Sequence, residues 1–416
     1  MPIQQVPQPL GARPRFSYSY IVVGAALLIM AMTFGSYNSF GIFLKPLLDH
    51  FHWTTAITSG GFSLSWIMQG LLGIIMGRLT DRVGPRVVLT ICGFLLGLGY
   101  FLMSQVDAVW QLYLFYGVII GSGMGSSWVP IVSTVARWFT KRRSLMTGIV
   151  LSGVSIGTLI GAPVASRLIS AYDWRMSYII VGGIVLVVVV LAAQLLRRDP
   201  TQAKQKPYGG SEGEKQEPVS ETPPFSLREA VRTRQFWLAS GMFFCFGFCF
   251  YTIMTHIVLH ATGLGISDTS AANILATIGG LSLVGRILLG RIADRIGNRR
   301  VFIIGFILMT AALFWLVPAE ELWGLYLFAV VLGFALGGCA MSESPLVAGL
   351  FGLRSHGLIL GVINFLGFTF GAAVGPIIGG YIFDMASSYQ LAFIVCGAMS
   401  VVGLILTALL SPVEKS

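Results

Sequence analysis

Two ten-residue stretches decide the fold, GRLTDRVGPR at Gly77–Arg86 and GRIADRIGNR at Gly290–Arg299. They share the pattern Gly-Arg-x-x-Asp-Arg-x-Gly-x-Arg and begin 213 residues apart. A second feature repeats at nearly the same spacing, because a glycine row that ends at Gly161 recurs as a row that ends at Gly375, 214 residues later. Two shared features in one order predict that the chain contains two copies of one structural unit.

The composition around these stretches is that of a membrane protein. Of the 416 residues, 55% are hydrophobic and 11% are charged, whereas a soluble domain carries about 25% charged residues. The mean hydropathy is +0.80. So few charges cannot cover a globule of this size in water, and the bilayer must solvate most of the chain. The net charge of +10 does not indicate nucleic-acid binding, because the basic residues lie in short groups between apolar stretches.

Apolar segments of the length that spans a bilayer occur twelve times. A helix needs about 20 apolar residues to cross the hydrocarbon core, and these runs are too long and too uniformly apolar for the strands of a membrane barrel. The segments are Tyr18–Leu44, Thr55–Met76, Val87–Ser104, Trp110–Ala136, Leu145–Ala171, Met176–Leu196, Phe236–Ala261, Ala271–Leu289, Val301–Val317, Leu322–Leu350, His356–Phe383 and Gln390–Leu410. We predict an all-α membrane protein of twelve transmembrane helices in two pseudo-symmetric six-helix bundles.

Basic residues predict the orientation. If the amino terminus is cytoplasmic, 23 of the 27 Lys and Arg residues fall in cytoplasmic segments. Only Lys45, Arg167 and Arg175 then lie outside, and Arg286 lies within a helix. The positive-inside rule therefore predicts a multi-pass protein of the cell membrane with both termini in the cytoplasm.

Domain boundaries follow from the same pattern. Residues 1–17 are predicted to be a cytoplasmic tail, 18–197 the first bundle, 198–234 a cytoplasmic loop, 235–411 the second bundle and 412–416 a second tail. The loop is rich in Pro, Gly, Glu and Lys, a composition typical of a flexible tether. Its last part, FSLREAVRTR, is predicted to be a short amphipathic piece that lies along the inner face before the seventh span.

Glycine rows are predicted to be helix-packing surfaces. Gly153, Gly157 and Gly161 repeat every four residues, as do Gly367, Gly371 and Gly375 in the second half. This spacing places small residues on one helix face and permits close approach of a neighbouring helix in lipid.

Cofactor and metal sites are not indicated by the sequence. The five cysteines lie inside apolar segments without metal-ligand spacing, so small buried side chains are the better interpretation. The chain shows no nucleotide-binding motif and no nucleophile–base arrangement. We therefore expect no cofactor, no metal and no enzymatic activity. The cysteines are Cys92, Cys245, Cys249, Cys339 and Cys396.

The repeated ten-residue motif resembles the hallmark loop of the major facilitator superfamily. Four longer stretches resemble the monocarboxylate transporter family and its bacterial relatives, which include oxalate–formate exchangers. They are GIFLKPLLDHFHWTTAITSGGFSLSW (41–66), ARWFTKRRSLMTGIVLSGVSIG (136–157), LREAVRTRQFWLASGMFF (227–244) and DTSAANILATIGGLSLVGRILLGRIADRIGNRR (268–300). The resemblance implies the major facilitator fold and transport of a small solute by alternating access.

Six motif residues are candidates for a gate. An Asp in this loop can accept hydrogen bonds from a neighbouring helix end and from Arg. Such a clasp would join the two halves on the cytoplasmic side in one state and release in the other. The candidates are Gly77, Asp81, Arg82, Gly290, Asp294 and Arg295.

Two charges lie deep inside predicted helices, Arg286 and Glu343. Charged residues within a membrane are expensive and usually face the interior or a cavity. Arg286 is the first candidate for binding a carboxylate, because its planar fork can donate two parallel hydrogen bonds. The alternative makes it a structural partner of Glu343. Glu343 is a candidate proton carrier, with structural pairing or a gate as alternatives.

Further candidates line the helices that surround the cavity in the superfamily. His256 is a candidate for substrate binding or proton relay, because its usual pKa suits proton transfer. Each of the others alone is more often part of a helix–helix hydrogen bond than a ligand. The remaining substrate-site candidates are Tyr37, Asn38, Ser126, Ser282, Asn364 and Phe365.

The sequence departs from the family at two positions. Animal monocarboxylate transporters usually carry a Lys where this chain has Asn38, and an Asp where it has Ser282, one turn before Arg286. The arginine is present without these two charged companions. This argues against proton coupling by the family's Asp–Lys scheme.

The first functional hypothesis is a monomeric carrier of small monocarboxylates such as lactate or pyruvate, coupled to a proton. The alternative is a carboxylate antiporter of the oxalate–formate type or another organic-anion or drug antiporter. A transporter-like sensor and a membrane enzyme are less well supported, because no signalling domain, metal cluster or ATP-binding motif is evident. The expected partners are a monocarboxylate anion, a proton and the lipid bilayer, without nucleic acid.

Overall fold

The computed structural model describes residues 18–139, 143–197, 225–352 and 356–411. The chain within these ranges is helical apart from short turns. The predicted tails 1–17 and 412–416, and residues 198–224 of the predicted loop, lie outside the described residues.

Apart from the short helix Leu227–Val231, the helical segments of the described ranges group into twelve rods, α1 to α12. Two of them, α4 and α11, contain a π-helical stretch. The rods are α1, Tyr18–Asn38 with Phe40–Phe51; α2, Thr55–Val83; α3, Pro85–Met103; α4, Val109–Leu112, Tyr113–Ile120, Gly121–Gly125 and Trp128–Trp138; α5, Arg143–Tyr172; α6, Trp174–Gln194; α7, Arg234–Gly263; α8, Asp268–Ile296; α9, Asn298–Leu316; α10, Leu322–Phe351; α11, His356–Asn364, Phe365–Thr369 and Phe370–Ala386; and α12, Gln390–Leu409.

Eleven of the rods in the described ranges are long and apolar enough to cross a membrane. The exception is α2, which has 29 residues but includes many Gly, Ser and Thr residues. The prediction of twelve spans is confirmed for eleven rods, and for α2 it stays a prediction.

The repeated motif is helical over most of its length, which corrects the predicted loop. Residues Gly77–Val83 are the last two turns of α2, and the connection to α3 is the single residue Gly84. The second copy is alike, with Gly297 between α8 and α9. Both glycines have positive φ, 90° and 87°, which L side chains rarely adopt. A helix such as α2 can continue beyond the hydrocarbon core of the bilayer, because charged side chains in its last turns can face water.

The last arginine of each motif copy binds the end of the last helix in its own half. Arg86 donates to the carbonyl of Gln194 at the end of α6, at 2.5 Å. Arg299 donates to the carbonyls of Thr407, at 3.2 Å, and Ala408 at the end of α12. Cations at a helix carboxyl end satisfy unpaired carbonyls and the helix dipole. Gln194 and Thr407 are 213 residues apart, like the motif copies, so the contact is duplicated with the fold.

The glycine rows pack as predicted. A side chain at Gly161 would place its Cβ 2.7 Å from the carbonyl oxygen of Gly35 on α1, and one at Gly157 would collide with the backbone of Ala31. In the second half, a Cβ at Gly375 would lie 2.6 Å from the carbonyl oxygen of Phe248 on α7. Backbone contact between α5 and α1, and between α11 and α7, therefore requires glycine.

Gly157→Ala is expected to destabilise the first bundle by about 1–3 kcal/mol, because the new methyl group meets backbone atoms that cannot move aside. The matched control is Gly148→Ala on the same helix, where the Cβ meets only Met341 Cε at 3.7 Å. Thermal unfolding in detergent, followed by tryptophan fluorescence, measures both. Equal melting temperatures for Gly157→Ala and the wild type would contradict this packing.

The predicted amphipathic piece at the end of the loop contains a short helix, Leu227–Val231. Ser226 caps it, and the Glu229 side chain accepts from the Ser226 backbone at 2.7 Å. The Phe225 backbone donates to the Phe351 carbonyl at the end of α10, at 3.1 Å. The end of the predicted loop is therefore attached to the second half.

Candidate functional site

The two halves are joined by polar contacts at one face of the molecule. We call the face where α1 begins and α12 ends the termini face, and the other the opposite face. At the opposite face Lys45 of α1 forms an ion pair with Asp268 of α8, at 2.8 Å. The Asp384 carboxylate of α11 accepts from the backbone N–H groups of Thr55 and Ala56 at the start of α2, both at 2.8 Å. These contacts close the opposite face.

Backbone contacts reinforce this closure. A Cβ at Gly41 would lie 2.6 Å from the Met254 carbonyl oxygen of α7, and one at Gly380 would lie 2.8 Å from the Ala56 nitrogen. Both contacts join α1 or α2 of the first half to α7 or α11 of the second. No side chain fits between the halves at these two points.

Aromatic rings from both halves lie deeper, toward the middle of the molecule. Trp66 of α2 packs on Tyr251 of α7 with ring centroids 4.3 Å apart. Phe368, in the π-helical part of α11, lies 5.7 Å from Trp66 and 5.9 Å from Tyr251. Phe62 continues the group, 5.9 Å from Tyr251. We call Phe62, Trp66, Tyr251 and Phe368 the aromatic layer.

Arg286 lies beside this layer and reaches across the two halves. It projects from α8, which crosses α10 closely, since a Cβ at Gly337 would meet the Arg286 nitrogen at 2.8 Å. Its Nη1 donates to the Leu151 carbonyl of α5, in the other half, at 3.1 Å. Its Nε is buried and makes no hydrogen bond within the described part of the chain. Most of the five guanidinium donors therefore have no acceptor among the residues that the structure describes.

Glu343 of α10 lies in the same neighbourhood. The Glu343 carboxylate interacts electrostatically with the Arg286 guanidinium and with the Tyr251 hydroxyl, and that hydroxyl also interacts with Arg286. Among the described residues, however, Arg286 and Glu343 form no ion pair within the 4.0 Å limit. The geometry therefore does not favour the alternative that Arg286 and Glu343 form a tight structural pair.

Further polar groups near the layer lack partners in the described ranges. The Trp66 Nε1–H, three residues from Gln69 on the same helix face, is buried without an acceptor. The amide oxygens of Gln69 and Asn364 are also buried without a donor. Buried polar groups are normally hydrogen-bonded, so this clustering indicates a site that a solute or water completes.

Three of the predicted substrate residues make protein contacts instead. The Tyr37 hydroxyl bonds with Ser65 Oγ at 2.7 Å, and its ring stacks on Phe62 behind the aromatic layer. Asn38 Nδ2 donates to Thr158 Oγ1 at 2.8 Å. Ser126 donates to a carbonyl of its own helix at 3.0 Å. Tyr37 and Asn38 therefore form hydrogen bonds between helices, and Ser126 forms one within its own helix.

Two others lie at the boundary between the halves. Ser282, one turn before Arg286, bonds with Ser155 of α5 at 2.7 Å. Phe365 packs on α2, because a Cβ at Gly70 would meet its ring at 2.8 Å. Both residues therefore lie where the halves meet, close to Arg286 and to the aromatic layer.

His256 is fully buried within the second half. Its Nδ1 lies 3.0 Å from the Tyr389 hydroxyl and its Nε2 lies 2.8 Å from the Pro376 carbonyl oxygen. Both ring nitrogens are thus used to join α7 to α11 and to the start of α12. This geometry favours a structural link over substrate contact.

The predicted gate is described only in part. The side chains of Asp81 and Asp294, and the surroundings of Gly77, lie outside the described residues. Arg82 and Arg295 are exposed at the ends of α2 and α8, and a Cβ at Gly290 would meet no atom within 4 Å.

Comparison with known proteins gives the family. The family model of the Major Facilitator Superfamily matches residues 26–291 and 261–416. The chain belongs to this superfamily. A solved bacterial homologue of the human lysosomal transporter Spinster, in an inward-facing and unoccupied conformation, has a TM-score of 0.75 at 16% identity. The match covers 95% of this chain and 97% of that one. The predicted superfamily and its two-bundle helical fold are confirmed.

Curated relatives include named monocarboxylate transporters. The chain is 28% identical over 392 residues to "Monocarboxylate transporter 13" of Bos taurus, covering 94% of this chain and 88% of that protein. It is 28% identical over 357 residues to "Uncharacterized MFS-type transporter YhjX" of Escherichia coli (strain K12), covering 83% and 84%. The predicted resemblance to the monocarboxylate transporters is confirmed, and the protein is a multi-pass membrane transporter.

Sequence reasoning missed four residues that shape the site and its closure, Trp66, Tyr251, Phe368 and Asp384. The aromatic residues belong to apolar helices that contain many other rings, so nothing in their spacing marks them. Asp384 lies at the end of a predicted span, where a carboxylate is ordinary. Only the contact with the start of α2 shows its role.

Proposed function

We propose that this transporter carries small monocarboxylate anions by alternating access, with Arg286 as the carboxylate-binding residue. The observation that carries the proposal is the guanidinium at the boundary of the two halves, which has one acceptor among the described residues and a buried Nε without a partner there. A carboxylate can accept two parallel hydrogen bonds from such a fork. The relatives named monocarboxylate transporters support this substrate class.

Alternating access assigns roles to the two faces. The closure by Lys45, Asp268 and Asp384 must open when the substrate passes the opposite face. The motif residues Gly77, Asp81, Arg82, Gly290, Asp294 and Arg295 are proposed to form the corresponding gate at the termini face. Arg86 and Arg299 fix the neighbouring helix ends within each half, so each motif can move with its own bundle.

A proton is the proposed co-substrate. An anion moving alone into a cell with a negative interior is opposed by about 2.3 kcal/mol per 100 mV, and one proton cancels that charge. Glu343, beside Arg286, is the proposed proton carrier, since His256 uses both nitrogens in protein contacts. Exchange of one carboxylate for another is the alternative, and it also moves no net charge when the two anions carry the same charge.

The proposed setting is the cell membrane, with the termini face in the cytoplasm as the basic residues predict. The transporter is proposed to work as a monomer, because the site lies between the two halves of one chain. Residues 198–234 are proposed to connect the halves on the cytoplasmic side.

Uptake into proteoliposomes tests this function. We expect radiolabelled lactate or pyruvate to accumulate when an inward proton gradient is imposed and to cease accumulating when the gradient is collapsed. Uptake that ignores the gradient but is driven by unlabelled carboxylate inside the vesicles would establish exchange. No uptake of any small carboxylate under either condition would contradict the proposal.

A further inference from the structure

The short helix Leu227–Val231 lies outside the twelve rods, and the proposed transport gives it no role. One side of it is attached to the second half. Ala230 is fully buried, and Phe225, which is 4% exposed, packs edge-on against Phe351 at the end of α10 with ring centroids 6.0 Å apart. The helix therefore has a fixed position on the termini face, and its other side has a fixed outward direction.

Basic side chains cover the outward side. Arg228 and Arg232 are exposed and four residues apart, so they lie on one face of the helix. Arg234, also exposed, follows at the start of α7. We call these three residues the arginine cluster. Their guanidinium groups make no hydrogen bond and no ion pair with the residues that the structure describes.

The carboxylate of the short helix is used for capping. Glu229 accepts hydrogen bonds from the backbone N–H of Ser226, at 2.7 Å, and from the Ser226 hydroxyl, at 2.8 Å. Its charge is thus held at the amino-terminal end of the helix, where the helix dipole favours it. The three guanidinium charges of the arginine cluster remain exposed to an anion.

Trp237 places the arginine cluster at the surface of the bilayer. It lies in the first turn of α7, a rod long and apolar enough to cross a membrane. Its ring is 57% exposed, and its indole N–H donates to the Val231 carbonyl at the end of the short helix, at 3.0 Å. Exposed tryptophans are typical of the membrane–water interface, so the short helix lies at the depth of the lipid headgroups.

We propose that the arginine cluster binds the headgroup of an anionic phospholipid, such as phosphatidylglycerol, in the leaflet at the termini face. A guanidinium can donate two parallel hydrogen bonds to phosphate oxygens, and a basic segment next to a membrane span attracts anionic headgroups. The acyl chains of the lipid lie along α7 beside Trp237. The inference concerns the membrane surface of the protein and does not depend on the solute that it carries.

The orientation of the chain explains the number of positive charges at this face but not their arrangement. The positive-inside rule counts basic residues in loops and requires neither an ordered helix nor unpaired guanidinium groups. Arg86 and Arg299, at the same face, bind the carbonyls of helix ends. The arginine cluster has no such acceptor in the described ranges, although the helix that carries it is firmly attached.

Matched lipids test the inference on the purified full-length protein. Phosphatidylglycerol and phosphatidylcholine with the same acyl chains are titrated into protein in a neutral detergent, and bound lipid is measured by native mass spectrometry. The variants are Arg228→Gln, Arg232→Gln and the two together. Arg291→Gln, at an exposed position of α8 on the same face, is the control for loss of one positive charge. Glycerol 3-phosphate is added as a soluble competitor.

We expect wild type to bind phosphatidylglycerol about tenfold or more tightly than phosphatidylcholine. Each single variant of the cluster should weaken phosphatidylglycerol binding about fivefold and the double variant about 25-fold, the effect typical of arginines at an anionic surface. Arg291→Gln should bind as wild type, and glycerol 3-phosphate should not compete. All variants should melt as wild type does without lipid, because the replaced side chains are exposed.

Three results would overturn the inference. The first is equal binding of the two lipids by wild type, and the second is a loss in Arg291→Gln as large as in the cluster variants. The third is displacement of phosphatidylglycerol by an equal concentration of glycerol 3-phosphate, because the site would then serve a soluble phosphate.

Discussion

Gly380→Leu is expected to abolish transport while the protein stays folded. In the closed opposite face, a Cβ at this position lies 2.8 Å from the Ala56 nitrogen and 2.9 Å from the carbonyl carbon of Thr55. These are backbone atoms at the start of α2, held by Asp384. A leucine side chain would prevent closure but would meet open space once the halves separate. If the substitution makes the free energy of closing this face less favourable by about 3 kcal/mol, the closed population falls about 100-fold relative to the open one. Uptake should fall accordingly.

The same variant should remain open to the opposite face. In the Gly380→Leu background, Phe62→Cys should react with a membrane-impermeant thiol reagent added at that face, whereas Phe62→Cys alone should react slowly because Phe62 is 1% exposed. Gly183→Leu on α6 is the control, since a Cβ there meets no atom within 4 Å. Normal uptake by Gly380→Leu would show that closure of this face is not part of the cycle.

Arg286→Ala is expected to lower uptake of a transported carboxylate by about 100-fold or more, and Arg286→Lys by about tenfold or more. The alanine variant loses both charge-assisted hydrogen bonds to the carboxylate, each worth about 1.5–3 kcal/mol. The lysine variant keeps the charge but cannot reproduce the planar fork. Initial rates of uptake into proteoliposomes, corrected for the amount of folded protein, measure both.

The control for Arg286 is Arg300→Ala, an exposed residue at the start of α9, which should transport normally. The rival role as structural partner of Glu343 makes a different forecast. On that view Arg286→Ala misfolds and Arg286→Ala with Glu343→Ala recovers both folding and uptake. A recovered double variant would therefore replace the substrate-binding role with a structural one.

Much of the fold could be predicted because its signals are local. The spans follow from runs of apolar residues, and the helix contacts follow from the glycine rows. The prediction that Gly77–Val83 form a loop is wrong, because the charged residues of the motif do not end the helix. A helix can continue into water when such residues lie at its end, as α2 does.

Site residues could be predicted from sequence only where the residue type is rare in its setting. A charge within a membrane-spanning helix is unusual, so Arg286 and Glu343 could be selected from sequence. Polar residues such as Asn38 and His256 serve packing as often as binding, and only the structure shows that their partners are Thr158, Tyr389 and Pro376. The aromatic layer joins residues far apart in sequence, from both halves, and required the tertiary arrangement.

The central claim is that a carboxylate binds at Arg286 between the two halves. Equilibrium binding of a radiolabelled small carboxylate to purified wild type and Arg286→Ala tests it most directly, with thermal unfolding as the check on folding. We predict saturable binding to wild type. We predict that binding is lost in Arg286→Ala, although this variant still shows a cooperative thermal unfolding transition. A folded Arg286→Ala protein that binds the carboxylate as tightly as wild type would contradict the claim.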